Sequence, residues 1–160
     1  MTATRRPTGI LRWFFRVPVS LYRWHGGWLL GNRFLLLTHV GRRTGERHQT
    51  VLEVAEYRRE GPEAVVISAF GRSADWLRNI QTTPGPEVVI GFRRFVAAHR
   101  VLGEEEAVGV VTGYERRNWF MAPIIRSVLS RFLGWRYRGS EPERRRLVAQ
   151  LPLIAFRPRP

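Results

Sequence analysis

The chain has 160 residues, 44% of them hydrophobic, enough for one domain with its own core, and no internal repeat or low-complexity tract divides it. The absence of cysteine excludes a disulfide framework, a thiol nucleophile and a cysteine-ligated metal, and is compatible with a reducing cytosol. All 27 basic residues are arginine, against 13 acidic ones, and the resulting net charge of +14 would draw nucleic acid, anionic lipid or an acidic cofactor.

An arginine-only basic set tracks GC-rich coding, so a solvated arginine surface accounts for much of that charge. The arginines are spread over every expected element, with no zinc-finger spacing, ribonucleoprotein aromatic motif or helix-turn-helix, and nucleic-acid binding is not expected.

Residues 1–30 are expected to form an amphipathic helical segment ahead of a domain at 31–160. Ile10 to Leu30 is rich in Trp, Phe and Tyr, and Arg12, Arg16, Ser20 and Arg23 fall on one helical stripe. Arg12, Arg16 and Arg23 interrupt it and Pro18 kinks it, which argues against a transmembrane helix, and no small-residue cleavage site marks a signal peptide. Two readings stay open, a helix that packs across the domain and ends at Gly26-Gly27, and one that lies in a membrane interface through residues 10–30.

Phe34 to Val40 is apolar and β-prone. Arg47 to Tyr57 alternates, with His48, Thr50, Leu52 and Val54 on one face and Gln49, Val51, Glu53 and Ala55 on the other. Together they predict a hairpin. Gly41 and Gly45 permit positive φ, so the turn is expected to present backbone N–H groups beside Arg42, Arg43, Thr44 and Arg47, an arrangement suited to phosphate or carboxylate. A merely solvated arginine turn is the alternative, and no Walker A loop is present.

Ala64 to Phe70 reads as a buried strand, broken by Gly71 and Ser73. Asp75 then opens a short helix to Thr82, with Asp75 expected as its cap and Trp76, Leu77 and Ile80 as core residues. Small residues ahead of a helix N-terminus would let a flat ligand approach the backbone. Pro84-Gly85-Pro86 ends the helix. Glu87 to Phe92 and Phe95 to Leu102 predict a second hairpin turning at Arg93-Arg94, and Glu104 to Glu106 mark the first turn of another helix.

Met121 to Leu133 predicts an amphipathic helix whose Ile124, Val128 and Phe132 face the core. Glu141 to Gln150 predicts a last helix with Arg144 to Arg146 on a solvated face, and Leu151 to Pro158 a closing strand. His39 and His48 can face each other across the first hairpin, but neither H-E-x-x-H nor H-x-H spacing occurs and no metal site is expected. Ser68 lies in no G-x-S-x-G elbow, so a Ser-His-Asp hydrolase is not expected either.

Taken in order, G-R-R-T-G after an apolar strand, S-A-F-G after the next, D-W-x-x-N-I, a Pro-containing turn and V-V-I-G-F resemble the deazaflavin-dependent nitroreductase family, split-barrel flavin and deazaflavin oxidoreductases of actinobacteria. The resemblance covers about residues 30 to 105, and the closing strand fits the family's last one. It implies an α+β fold, a split β-barrel of the FMN-binding type with about six strands and flanking helices. It also implies coenzyme F-420, an 8-hydroxy-5-deazaflavin with an acidic phosphate and oligoglutamate tail, with FMN as the alternative.

By the same resemblance Arg42 and Arg43 hold the coenzyme phosphate with Thr44, while Arg47 and His48 stand where the family carries a third cation. Ala69, Phe70, Gly71 and Arg72 form the loop beside the ring, and Trp76 and Asn79 match the W-x-x-N positions. The tyrosine cluster tied to nitro-prodrug reduction is not evident between Tyr114 and Tyr137. The implied reaction moves hydride between reduced deazaflavin and an electron-poor, hydrophobic small molecule. The proton donor is open, with Tyr114 and water as candidates. The expected setting is cytoplasmic, with peripheral contact at the inner face of the membrane and a homodimer as further expectations. A non-catalytic lipid- or fatty-acid-binding barrel is the competing class.

Overall fold

The computed structural model describes residues 31–160. The helical segment and membrane contact expected of residues 1–30 lie outside the described residues. Six strands, β1 (Phe34–Val40), β2 (Arg47–Arg58), β3 (Glu63–Ile67), β4 (Glu87–Ile90), β5 (Arg93–Val101) and β6 (Leu153–Pro158), close into an antiparallel barrel in the order β1-β2-β3-β6-β5-β4. Four helices accompany it: α1 (Asp75–Thr82), α2 (Glu104–Arg117), α3 (Ala122–Leu133) and α4 (Glu141–Gln150). This is the α+β split barrel with flanking helices that the resemblance implies.

Alternation explains the two cores. Leu35, Leu37, Val54, Ala64, Val66, Val88, Ile90, Ala97, Ile154 and Phe156 point inward and fill the barrel. Trp76, Leu77 and Ile80 of α1 join that cluster, so α1 closes one mouth of the barrel. The out-facing partners, among them Ala55, Val65, Leu153 and Ala155, pack under Val110, Val111, Leu147, Val148 and Tyr137. The outer layer is therefore α2 and α4 over β2, β3 and β6.

Capping follows from local chemistry. Glu104, Glu105 and Glu106 occupy the first turn of α2 and Arg116 and Arg117 its last, both favourable to the helix dipole. Ser140 and Glu143 form a reciprocal capping box at α4.

Several expectations shift. β3 ends at Ile67, not Phe70, because the buried Ser68 hydroxyl donates to the Gly71 carbonyl at 2.7 Å and turns the chain. The β4–β5 turn falls at Gly91-Phe92, not Arg93-Arg94: Ile90 pairs with Arg93, and Gly91 takes φ +55°, which a two-residue hairpin turn accepts from glycine. β6 starts at Leu153 rather than Leu151. Ile124 and Val128 of α3 are exposed instead of core-facing. The Arg144 to Arg146 run is engaged as well as solvated, for Arg146 is exposed and the partners of Arg145 are exposed. Arg144 pairs with Glu115 at 2.8 Å, Arg145 with Glu104, Glu105 and Glu141, and Arg146 lies over the Trp135 ring at 4.2 Å.

Candidate functional site

The β1–β2 turn sits over α1, and side chains tie the two. Asn79 is buried on α1. Its Oδ1 accepts from the Arg42 backbone N–H at 3.2 Å and from Arg42 Nη1 at 2.9 Å, while its Nδ2 lies 3.0 Å from His39 Nδ1. Arg42 Nη2 reaches Asp75 Oδ1 at 3.1 Å, so Asp75 is an ion-pair partner and not a cap; Ala74 is the N-cap residue and makes no side-chain cap bond. His39 and His48 are directly paired across the strands, with ring centroids 5.8 Å apart.

An amide Nδ2 donates, so His39 Nδ1 must accept, and the ring is the neutral tautomer with its proton on Nε2. Burial and the nearby His48 hold the His39 pKa below the usual 6.5, opposed in part by Asp75. The network thus carries no buried charge at His39.

The turn's own N–H groups are mostly spent. Gly41 N–H donates to Glu46 O, Gly45 N–H to Gly41 O, Glu46 N–H to Thr44 Oγ1 and Arg42 N–H to Asn79. The Arg43 and Thr44 N–H groups remain for a ligand. Only Gly45 of the turn's two glycines has positive φ, +71°. Gly41 serves closeness instead: a Cβ there would stand 2.7 Å from Thr44 Oγ1 and 2.9 Å from His48 Nε2, so one or both side chains would have to shift.

The expected site residues therefore separate. Arg42, Thr44, His48 and Asn79 come together around Gly41, joined by His39 and Asp75, which sequence reasoning did not place in the site. The facing of His39 and His48 was readable from hairpin register, but the Asn79 link between the hairpin and α1 left no local pattern. Arg43 and Arg47 are exposed and carry no ion pair among the described residues; pleat alternation turns Arg47 to the opposite face from His48.

Ala69, Phe70, Gly71 and Arg72 form a loop pinned, by the Ser68 N–H bond to Pro152 O, to the residue just before the closing strand. Gly71 has φ +69° and an added Cβ would lie 3.3 Å from the Gln150 carbonyl oxygen. Phe70 is 48% exposed and meets Phe132 of α3 edge-on at 5.4 Å. Trp76 instead faces the barrel, against Phe156 at 6.2 Å, and is part of the core.

Tyr114, a candidate proton donor, gives its hydroxyl to Glu53 at 2.7 Å. Burial, then the Glu53 charge, push its pKa up, so it holds its proton tightly. Glu53 pairs with Phe34 at the far end of β1, about 20 Å along the strand from the Val40–Arg47 pair at the turn. That other end carries a cavity of about 420 Å³ lined by Gly31, Tyr57, Arg59, Ile90, Phe92 and Arg93. Among the described residues no group of three His, Asp or Glu could hold a metal, and no helix is long and apolar enough to cross a membrane.

A family model described as F420H(2)-dependent quinone reductase matches residues 13–119, well over half of the chain. No curated protein matches. Among solved structures, similarity extends to a pyridoxamine 5'-phosphate oxidase-related, FMN binding protein from Nostoc punctiforme, at 14% identity and TM-score 0.50, covering 96% of this chain and 83% of that one. It extends also to HutZ, a heme storage protein from Vibrio cholerae, at 14% identity and TM-score 0.50, covering 88% and 91%. An F420-H2 dependent reductase, FDR-A, is similar at 17% identity and TM-score 0.44, covering 79% and 96%. The likeness to the first two, at these identities, establishes the barrel fold and no more.

Proposed function

Since the chain belongs to the F420H(2)-dependent quinone reductase family and is thereby an oxidoreductase using coenzyme F-420, we propose that the β1–β2 turn and the Ala69–Arg72 loop seat that coenzyme and that the substrate is an electron-poor, hydrophobic small molecule of the quinone type. Family membership removes the non-catalytic lipid-binding alternative and favours F-420 over FMN. The inward side chains of the described barrel form a packed apolar cluster, which disfavours an acyl chain there.

The observation that carries the site is the Asn79 tie. It fixes a cation-bearing turn over α1, with Arg43 and Arg47 free of ion pairs among the described residues and Glu46 the one acid on the turn. The donor set suits an acidic phosphate. Arg42 spends two of its five N–H donors on Asn79 and Asp75, so it can hold an anion while keeping both partners. Arg43 and its backbone N–H, the Thr44 N–H and His48 complete the anion site, and Arg47 is free to meet an acidic tail from the other face.

Bound F-420 supplies a hydride from ring carbon 5. The chain supplies position. Gly71, buried against the Gln150 carbonyl, shapes the loop, the small Ala69 permits close approach to its backbone, and Phe70 offers an apolar edge that excludes water. Trp76 and Asn79 act from below, as core support and as the anchor of the turn. Tyr114, bonded to Glu53, is not assigned the proton.

The test is an F-420 fluorescence titration of the protein and of Arg42→Ala/Arg43→Ala, with FMN alongside. Charge-assisted contacts are worth about 1.5–3 kcal/mol each, so the double variant should bind at least about tenfold more weakly while keeping its circular dichroism. Unchanged affinity in a folded variant would remove the turn from the site.

A further inference from the structure

The 3-10 turn Trp119–Met121 and α3 carry an apolar face that none of the described residues covers. Trp119 is 74% exposed, Phe120 63%, Ile124 59% and Val128 42%. The last three follow one another at four-residue spacing and form one stripe along the helix. Large exposed side chains gathered on one face mark an interaction surface.

Charge identifies what the face meets. Between Arg116 and Ser140 the sequence has six arginines and not one Asp or Glu. Arg116, Arg126 and Arg131 are exposed and have no ion pair among the described residues. A second copy would bring the same arginines against themselves. Residues 1–30 are no better a partner, since they carry Arg5, Arg6, Arg12, Arg16 and Arg23 and no acid. The complement is an apolar surface with anionic groups at its edge.

We propose that this face docks on an anionic lipid bilayer, with Trp119, Phe120, Ile124 and Val128 entering the interface and the arginine rim meeting lipid phosphates. The face runs toward the loop assigned to the coenzyme ring, because Phe132 at the end of α3 packs on Phe70. Docking would therefore present the Phe70 loop to a hydrophobic acceptor arriving from lipid. The docking itself is independent of the redox reading, and only this last consequence rests on it.

The test is cosedimentation of the full chain with phosphatidylcholine vesicles, plain or containing about 30% phosphatidylglycerol, at low and high salt. Two variants are compared, Trp119→Ser/Phe120→Ser and Ile124→Ser/Val128→Ser, with F-420 binding measured on each. The full chain should bind the anionic vesicles preferentially and lose them at high salt. Each variant should lose at least about tenfold in partitioning, with F-420 affinity unchanged. Variants that bind anionic vesicles as the full chain does would overturn the proposal and leave the contact to residues elsewhere. So would a full chain indifferent to anionic lipid, or variants that change only the mass at sedimentation equilibrium, which would make the face a contact between copies. Loss of F-420 affinity in the double arginine variant alone, with vesicle binding intact, would bear on the coenzyme site and not on this surface.

Discussion

Asn79 is the residue on which the candidate site turns, because one buried amide satisfies a strand histidine, a turn N–H and a guanidinium. Removing it strands His39 Nδ1 and the Arg42 N–H, at a cost of about 1–3 kcal/mol for buried unsatisfied groups. Protonating His39 would have a related effect, since a protonated Nδ1 cannot accept from Nδ2. A histidine with a lowered folded pKa contributes stability that is present above its unfolded value and is lost as pH falls. The window therefore opens at the usual 6.5 and closes below the lowered folded value. Half-buried His99, also lowered by burial, adds to the same slope. Denaturant unfolding across pH should show stability declining from about pH 7 downward, and Asn79→Ala should be less stable near neutrality with a shallower decline. An Asn79→Ala protein as stable as the original would mean that the tie is idle.

At the scale of elements, the loop between β3 and α1 is where we propose that the ring lies. Its geometry needs Gly71 in the left-handed region, so Gly71→Ala adds backbone strain of about 1–2 kcal/mol and presses on the Gln150 carbonyl, only 3.3 Å away. We expect lowered stability together with weaker F-420 binding, read by thermal melting and by titration; a loss of stability with unchanged affinity would separate this loop from the ring. How far such elements were legible depended on whether their determinants are local. The apolar run of β1, the alternation of β2, the Pro84-Gly85-Pro86 stop and the span of α1 all lie in short windows, and the structure has them where the sequence places them. The end of β3 did not lie in such a window, because Ser68 and Gly71 form their turn against β6, over eighty residues later. The face of α3 was misread for a related reason: apolar periodicity reveals a stripe but not what covers it.

For the whole molecule, barrel closure explains why the fold was easier to read than the site. Inward and outward sets are written in the period of each strand, whereas the site depends on which mouth of the barrel α1 closes, a property of the complete chain. Asp75 shows the difference. Its place at the start of α1 was readable, but its pairing with Arg42 required the turn to lie directly above it. The same closure leaves two ends to choose between, the turn over α1 and the 420 Å³ cavity at the opposite mouth.

Amide hydrogen exchange of the protein with and without F-420 distinguishes them most directly. New protection is expected at Arg43 and Thr44 and through Ala69–Arg72, with none at residues 57–59 and 90–93. Protection confined to the opposite mouth, leaving the turn unchanged, would contradict the proposed site.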